Sequence, residues 1–131
     1  MSIQTAWAEP ATSTPIEVVQ KWIRAYPHEL ERAVMLTTPA MREGLTPDQW
    51  IAAQKKLLAS DNFHDMNRDI VSVRNDGYWI AVTLHTSLSS SNGDREQREH
   101  ITIKPFCSVW LIDDIEVIPI RQFTKDEESK E

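Results

Sequence analysis

The sequence is poor in three features that many functional motifs require: cysteine, glycine and long apolar runs. Its only cysteine, Cys107, excludes an intrachain disulfide and a metal site built on several cysteines. Its three glycines, at positions 44, 77 and 93, are too scattered for a phosphate-binding loop or a dinucleotide-binding motif. No stretch approaches the roughly 18 consecutive apolar residues of a membrane-spanning helix. We therefore predict no transmembrane segment and no nucleotide-binding loop.

Positive charge is also scarce, since 14 Lys and Arg residues stand against 20 Asp and Glu, for a formal net charge of −6. A protein that tracks nucleic-acid phosphates needs a basic surface, and so does one that binds an anionic membrane. We therefore expect no nucleic-acid partner. The length of 131 residues and the 40% hydrophobic content predict one ordinary globular domain.

The two ends of the sequence differ from the rest. The segment Ala6–Ala8, just before Glu9, resembles the cleavage box of a secretory signal peptide, but no basic region or apolar core precedes it. As written, the sequence predicts a flexible N-terminus over residues 1–13 and a cytoplasmic protein. A signal peptide upstream of Glu9 would instead make it an exported or cell-envelope protein. Residues 124–131 are predicted to be a disordered acidic tail, which leaves a single domain over residues 14–123.

Helix-start signals dominate the first half of this domain. Thr14 is a good N-cap, Pro15 suits the first helical position, and Glu17 completes a capping box. Prolines farther on end one helix and start another. The signals predict three helices, over about residues 15–26, 29–38 and 47–59.

The second half changes to the two-residue periodicity of strands. Asn75-Asp76-Gly77 predicts a tight turn, and Ser89–Arg98 reads as a polar loop between two strands. Pro119 is expected to end the last strand. The pattern predicts four strands, over about residues 70–73, 78–88, 99–106 and 109–118.

Helices followed by an antiparallel meander describe an α+β domain, with the N-terminal helices packed on one face of a curved sheet. Four segments, in this order, carry a family resemblance: Pro15–Val19, Leu36–Pro39, Asp76–Thr83 and Trp110–Ile115. They resemble the nuclear transport factor 2-like superfamily, and the likeness extends over about residues 14–120. The resemblance implies a cone-shaped, mainly antiparallel fold. It leaves function open, because this superfamily includes isomerases, dehydratases, assembly domains and members without known activity.

Histidines are the first candidates for chemistry. His85 and His100 fall in strands predicted to pair, but no third ligand stands at a recognisable spacing, so we predict no metal site and no cofactor. His85 shares its strand face with Trp79, and we predict that this is the concave, helix-covered face. We assign no catalytic residue; His85 is only a weak candidate for a general base.

Tryptophans are the second group of candidates, since five of the ten aromatic residues are Trp. Four of them fall in predicted helices and strands, where they either fill the core or line a pocket for a small apolar ligand. Both interpretations stay open. The predicted ligand-binding residues are Trp22, Tyr26, Trp50, Trp79, His85 and Trp110, with Met35 and Met41 beside them.

Three functional hypotheses follow. The first is a non-catalytic module that binds a small ligand or a protein partner and self-associates through its open sheet face. The second is a cofactor-independent isomerase or dehydratase that acts on a hydrophobic small molecule in the cone, with His85 as base. The third is an exported envelope assembly domain. A space between helices and sheet that is completely filled would exclude both the enzyme and the small-ligand module.

Overall fold

The structure, a computed structural model, describes residues 13–61, 63–91 and 93–123. Its four strands form one antiparallel sheet in the order β1-β2-β3-β4, and the helices pack on one face of it. The predicted α+β architecture is confirmed. The predictions for the two ends of the chain, and Trp7 with them, fall outside the described residues or are not tested. In chain order the elements are α1 (Pro15–Ala25), α2 (Leu30–Val34), α3 (Pro47–Asp61), β1 (Phe63–Asn75), β2 (Ile80–Ser90), β3 (Gly93–Phe106) and β4 (Val109–Phe123).

The helix α1 starts with the predicted capping box. The backbone N–H of Glu17 donates to Thr14 Oγ1 at 3.2 Å, and the backbone N–H of Thr14 donates to Glu17 Oε1 at 2.8 Å. These bonds satisfy two backbone donors that a helix start would otherwise leave unpaired. One face of α1 then buries Val18, Val19 and Trp22 against the sheet.

The helix α2 is shorter than the ten residues predicted, because the chain after it joins the sheet edge. The backbone N–H of Ile112 in β4 donates to the Leu36 carbonyl at 2.7 Å, and the N–H of Thr38 donates to the Ile112 carbonyl at 2.9 Å. Thr37 thereby forms an isolated parallel bridge with Ile112. This pairing takes up backbone groups that a longer helix would have used.

Three strands, β1, β3 and β4, are longer than predicted; β1 begins at Phe63 rather than near residue 70. The predicted polar loop Ser89–Arg98 is wrong. β2 continues to Ser90 and β3 begins at Gly93, so that Leu88 pairs with Arg95 and Thr86 with Gln97. The side chains here are polar, yet the backbone ladder of the hairpin continues without a break in register. The polar composition therefore did not indicate a loop. Two paired strands satisfy each other's backbone hydrogen-bonding groups whatever side chains they carry.

The strand β4 continues past Pro119, which was expected to end it. β4 lies at the edge of the sheet, and Pro119 pairs with Gln97 beside a register shift between Glu96 and Gln97. An edge strand tolerates proline because one side of its backbone needs no partner strand, and a bulge relieves the missing donor.

The hydrophobic core lies between α1, α2 and the inner face of the sheet. Val82 and Leu84 in β2, with Ile101 and Ile103 in β3, are buried almost completely. Each such side chain stabilises the fold by about 1.5–3 kcal/mol relative to an exposed position. The core occupies one end of the inner face and leaves the other end, toward the β2–β3 turn, for a cavity. None of the described helices is both long and apolar enough to cross a membrane.

Candidate functional site

A cavity of about 680 Å³ lies between α1, α3 and the inner face of the sheet. This volume falls within the range of about 300–1,000 Å³ that is usual for small-molecule sites. The space between helices and sheet is therefore not filled by side chains. The condition that would have excluded a ligand or a substrate is not met.

Three aromatic side chains form one wall of the cavity, which we call the aromatic wall: Trp22, Tyr26 and Trp50. The rings of Trp22 and Tyr26 stack with centroids 4.8 Å apart and an interplanar angle of 6°. Trp50 is tilted against both, at 6.3 Å from Trp22 and 6.4 Å from Tyr26. Tyr26 also donates its hydroxyl to Gln54 Oε1 at 2.6 Å, which joins the end of α1 to α3. The aromatic wall is thus held from two helices.

The mouth of the cavity is aliphatic and lies between α3 and β4. Leu57 and Val117 both line the cavity, yet they are 60% and 50% exposed to solvent. On α3 the lining residues Trp50, Gln54 and Leu57 recur at helical spacing, so a single face of this helix covers the cavity. A ligand would pass between these aliphatic side chains before reaching the aromatic wall.

The floor of the cavity is polar and comes from β3, where Arg95, Gln97 and Glu99 alternate on the inner face. We call these three residues the polar floor. Glu99 is 6% exposed, and Gln97 donates from Nε2 to its Oε2 at 3.0 Å. A buried carboxylate needs such partners, because burial without them is costly.

Arg68 of β1 lies on the same inner face as the polar floor, two strands away, and supplies a compensating charge. Its Nη2 donates to the carbonyl of Ile23 at 3.0 Å and to that of Tyr26, and its guanidinium lies 5.8 Å from the centroid of the Tyr26 ring. Burial lowers the pKa of Arg68, while the negative charge of Glu99 opposes this effect. Arginine stays protonated even so. Arg68 therefore balances the charge of Glu99 and holds the end of α1.

One buried hydroxyl close to the polar floor has no protein partner. Thr86 is fully buried, and among the described residues its Oγ1 makes no hydrogen bond. Thr86 pairs across the sheet with both Arg68 and Gln97. Since buried polar atoms are normally satisfied, this hydroxyl marks a place for an internal water.

The structure brings three of the predicted ligand-binding residues together, namely those of the aromatic wall. The prediction that His85 and Trp79 face the helices is wrong. His85 lies between buried Leu84 and Thr86, so it points to the outer face of the sheet, where its Nε2 is 3.9 Å from Glu96 Oε1. Trp79 precedes β2 in the hairpin loop, is 38% exposed, and lies against the Lys104 ammonium.

The other predicted residues are divided between the site and its surroundings. Trp110 packs half-buried against the core but does not line the cavity, whereas Met41 does. Met35 is 74% exposed and takes no part in it. Within residues 13–61, 63–91 and 93–123, no three His, Cys, Asp or Glu side chains are grouped to hold a metal ion.

The polar floor is the part of the site that the sequence interpretation missed. Arg95 and Gln97 fall inside the predicted loop Ser89–Arg98, and Glu99 opens the predicted strand without having been assigned to a face. The signal was present: counting back by two from the apolar Ile101 places Glu99, Gln97 and Arg95 on the same inner face.

Comparisons with known proteins come from solved structures, since no protein-family model and no curated protein matches this sequence. An NTF-2 like protein of unknown function from Shewanella oneidensis MR-1 matches with a TM-score of 0.60 and 12% identity, over 78% of this chain and 93% of that one. A protein from Catenulispora acidiphila with a ketosteroid isomerase-like fold, solved in complex with trimethylamine, matches with a TM-score of 0.57 and 10% identity, over 79% and 85%.

A third match, to Bd1075 of Bdellovibrio bacteriovorus, has a TM-score of 0.62 and 13% identity. It covers 82% of this chain but only 40% of that protein. At such identities the similarity shows the fold alone.

Proposed function

We propose that this chain, whose fold is that of the nuclear transport factor 2-like proteins, is a module that binds a small molecule with an apolar body in its cavity. The single observation that carries the proposal is that the cavity is open although two tryptophans border it. If the tryptophans filled the core, Trp22 and Trp50 would occupy this space themselves. Instead they form its wall.

The chemistry of the lining supports a ligand that is apolar along most of its length. The aromatic wall and the aliphatic mouth would exclude water from such a molecule, which gains about 25 cal/mol for each Å² of apolar surface that is buried. A few convergent polar groups usually orient the ligand in sites of this kind. Here the polar floor supplies them.

The indole N–H groups allow a direct test, because each tryptophan gives one NMR signal and the four in the described residues lie in different places. We expect 2-naphthol to shift the signals of Trp22 and Trp50 saturably. Those of Trp79 and Trp110, which lie outside the cavity, should stay in place. Absence of saturable shifts, or equal shifts at Trp79, would contradict the proposal.

A matched pair of variants sharpens this test. Val117 and Val73 are both about half exposed, and both lie on edge strands, but only Val117 lines the cavity mouth. Val117→Trp should obstruct the mouth and weaken 2-naphthol binding about tenfold or more, which is the loss of about 1.4 kcal/mol. Val73→Trp should leave the affinity unchanged.

A second candidate function, a cofactor-independent isomerase or dehydratase, is favoured by one observation: a buried carboxylate, Glu99, on the floor of the cavity. A general base has to reach within about 2.6–3.2 Å of the proton that it abstracts. Glu99 is better placed for this than His85, which lies on the opposite face. Exchange of the α-protons of cyclohexanone in D₂O tests the idea: the protein should accelerate it, and Glu99→Gln should abolish the acceleration. No acceleration would contradict this candidate and leave the binding module standing.

Self-association through the open sheet face stays a prediction. Strands β2, β3 and β4 present both signs of charge on that face, among them Glu96, Arg98 and Glu116, together with His85 and His100. Such a face differs from the apolar one that the hypothesis anticipated. Sedimentation equilibrium at low and high salt would detect a dimer held by these charges, since screening weakens it. The cellular location and the envelope-assembly hypothesis also stay predictions.

A further inference from the structure

The two charged side chains that line the cavity lie at opposite ends of the polar floor. Arg95 and Glu99 are four residues apart on β3, which separates their Cα atoms by about 13 Å along an extended strand. A ligand therefore meets one cationic end and one anionic end. The surroundings of Arg95 and of Glu99 determine which of the two binds the polar head group of the ligand.

The anionic end is already balanced by the protein. Glu99 accepts a hydrogen bond from Gln97 and interacts electrostatically with the positive charge of Arg68. A cationic head group placed here would gain the attraction of Glu99 but would also be repelled by Arg68. In a buried site this repulsion is only weakly screened.

The cationic end is flanked by apolar side chains on its β2 side. Arg95 pairs across the sheet with Leu88, which in turn pairs with Met66, and all three line the cavity. A guanidinium has five N–H donors, so a partner within the fold leaves further donors for a ligand. Its planar fork matches a carboxylate in two parallel hydrogen bonds, and the apolar surroundings strengthen that pair.

We propose that the ligand is a small organic acid, with its carboxylate on Arg95 and its apolar body between the aliphatic mouth and the aromatic wall. This inference rests on the proposed binding function and names its ligand class. Arg95 is the residue that determines specificity for the head group. Glu99 and Gln97 then meet the far end of the ligand or water.

Three probes that share one octyl chain test the head group alone: octanoate, octan-1-ol and octylamine. With calorimetry at neutral pH we expect octanoate to bind about tenfold more tightly than octan-1-ol, as a charge-assisted hydrogen bond to the guanidinium implies. Octylamine should bind most weakly. Arg95→Gln should reduce octanoate to the affinity of octan-1-ol without changing octan-1-ol itself.

The matched control is Arg98→Gln, which removes the same charge from the same strand. Arg98 is exposed on the outer face, so the preference for octanoate should persist. Arg95→Lys keeps the charge without the fork and should retain part of the preference, which provides a second measurement if Arg95→Gln unfolds.

Equal affinity for octanoate and octan-1-ol, or a preference that survives in both Arg95 variants, would overturn the inference and leave the binding module intact. Tighter binding of octylamine would also overturn it, in favour of a cation held by Glu99. Failure of all three probes and of 2-naphthol to bind the folded protein would overturn the binding module as well.

Discussion

The two faces of the sheet come from the same strands but have opposite environments. Along β2 the inner positions Val82, Leu84 and Leu88 are buried, while the outer positions between them, such as Thr83 and His85, are partly exposed. The backbone conformation is the same along the strand and only the side-chain direction alternates, so propensity alone does not distinguish the faces. The helices distinguish the two faces, because they cover only the inner one.

The inner face itself is divided along β3. Ile103 and Ile101 belong to the core, and the next inner positions, Glu99, Gln97 and Arg95, form the polar floor. The change from apolar to polar side chains occurs where α1 ends and the cavity begins. Within β3, the inner face thus changes from a tightly packed core surface to a surface that lines the cavity.

The largest effect should come from removing an aromatic side chain on the inner face. Trp22 is 3% exposed and packs against both the core and Tyr26, so Trp22→Ala should lower the free energy of unfolding by about 3–5 kcal/mol. Trp79 on the exposed hairpin contacts the Lys104 ammonium, and Trp79→Ala should cost about 1 kcal/mol or less. Urea denaturation followed by circular dichroism measures both.

Similar losses in the two variants would contradict this contrast between faces. They would mean that the outer side of the sheet is itself buried in solution, as in a self-associated form. Repeating the Trp79→Ala measurement at several protein concentrations distinguishes that case, because the stability of an oligomer depends on concentration.

The sequence predicted the fold well where local signals and periodicity agreed. The capping box at Thr14 located the start of α1, and the alternation around Val82 identified a strand of the core. The resemblance to the nuclear transport factor 2-like superfamily is confirmed at the level of the fold. Errors arose where backbone pairing overrode composition, as in the polar half of the β2–β3 hairpin and at Pro119.

The site was predictable in part for the same reason. The helical aromatics Trp22, Tyr26 and Trp50 were found because helix faces are readable from spacing. For His85 the strand was right, but alternation does not tell which of two faces the helices will cover. In addition, the polar floor could not be found as a unit once Arg95 and Gln97 had been assigned to a loop and only Glu99 to a strand.

A smaller effect should come from the buried hydroxyl of the inner face. Thr86→Val keeps the shape of the side chain and removes an oxygen that has no hydrogen-bond partner among the described residues, so it should stabilise the protein by about 1 kcal/mol. Thr83→Val makes the same change on the outer face and should stay within about 0.5 kcal/mol of the original protein. The midpoint of urea unfolding measures the difference. If Thr86→Val destabilises instead, the hydroxyl is bound to an internal water, and the inner face is wetter than its protein contacts indicate.

The smallest effect is expected at the β1–β2 hairpin, far from both the core and the cavity. There the Arg74 guanidinium donates to both oxygens of Asp76, at 2.9 Å from Nε to Oδ1 and 2.9 Å from Nη2 to Oδ2. This hydrogen bonding lowers the pKa of Asp76 below its ordinary value. The carboxylate is therefore deprotonated more readily in the folded chain, so its contribution to stability is present above about pH 4 and is lost as the pH falls through the folded-state value.

Asp76→Asn should be slightly less stable than the original protein at neutral pH, and the difference in thermal midpoint should disappear in acid. In an Arg74→Gln background the same substitution should show almost no dependence on pH. A pH-dependent difference that persists without Arg74 would assign the lowered pKa to the hydrogen bond from the Trp79 side chain rather than to the ion pair.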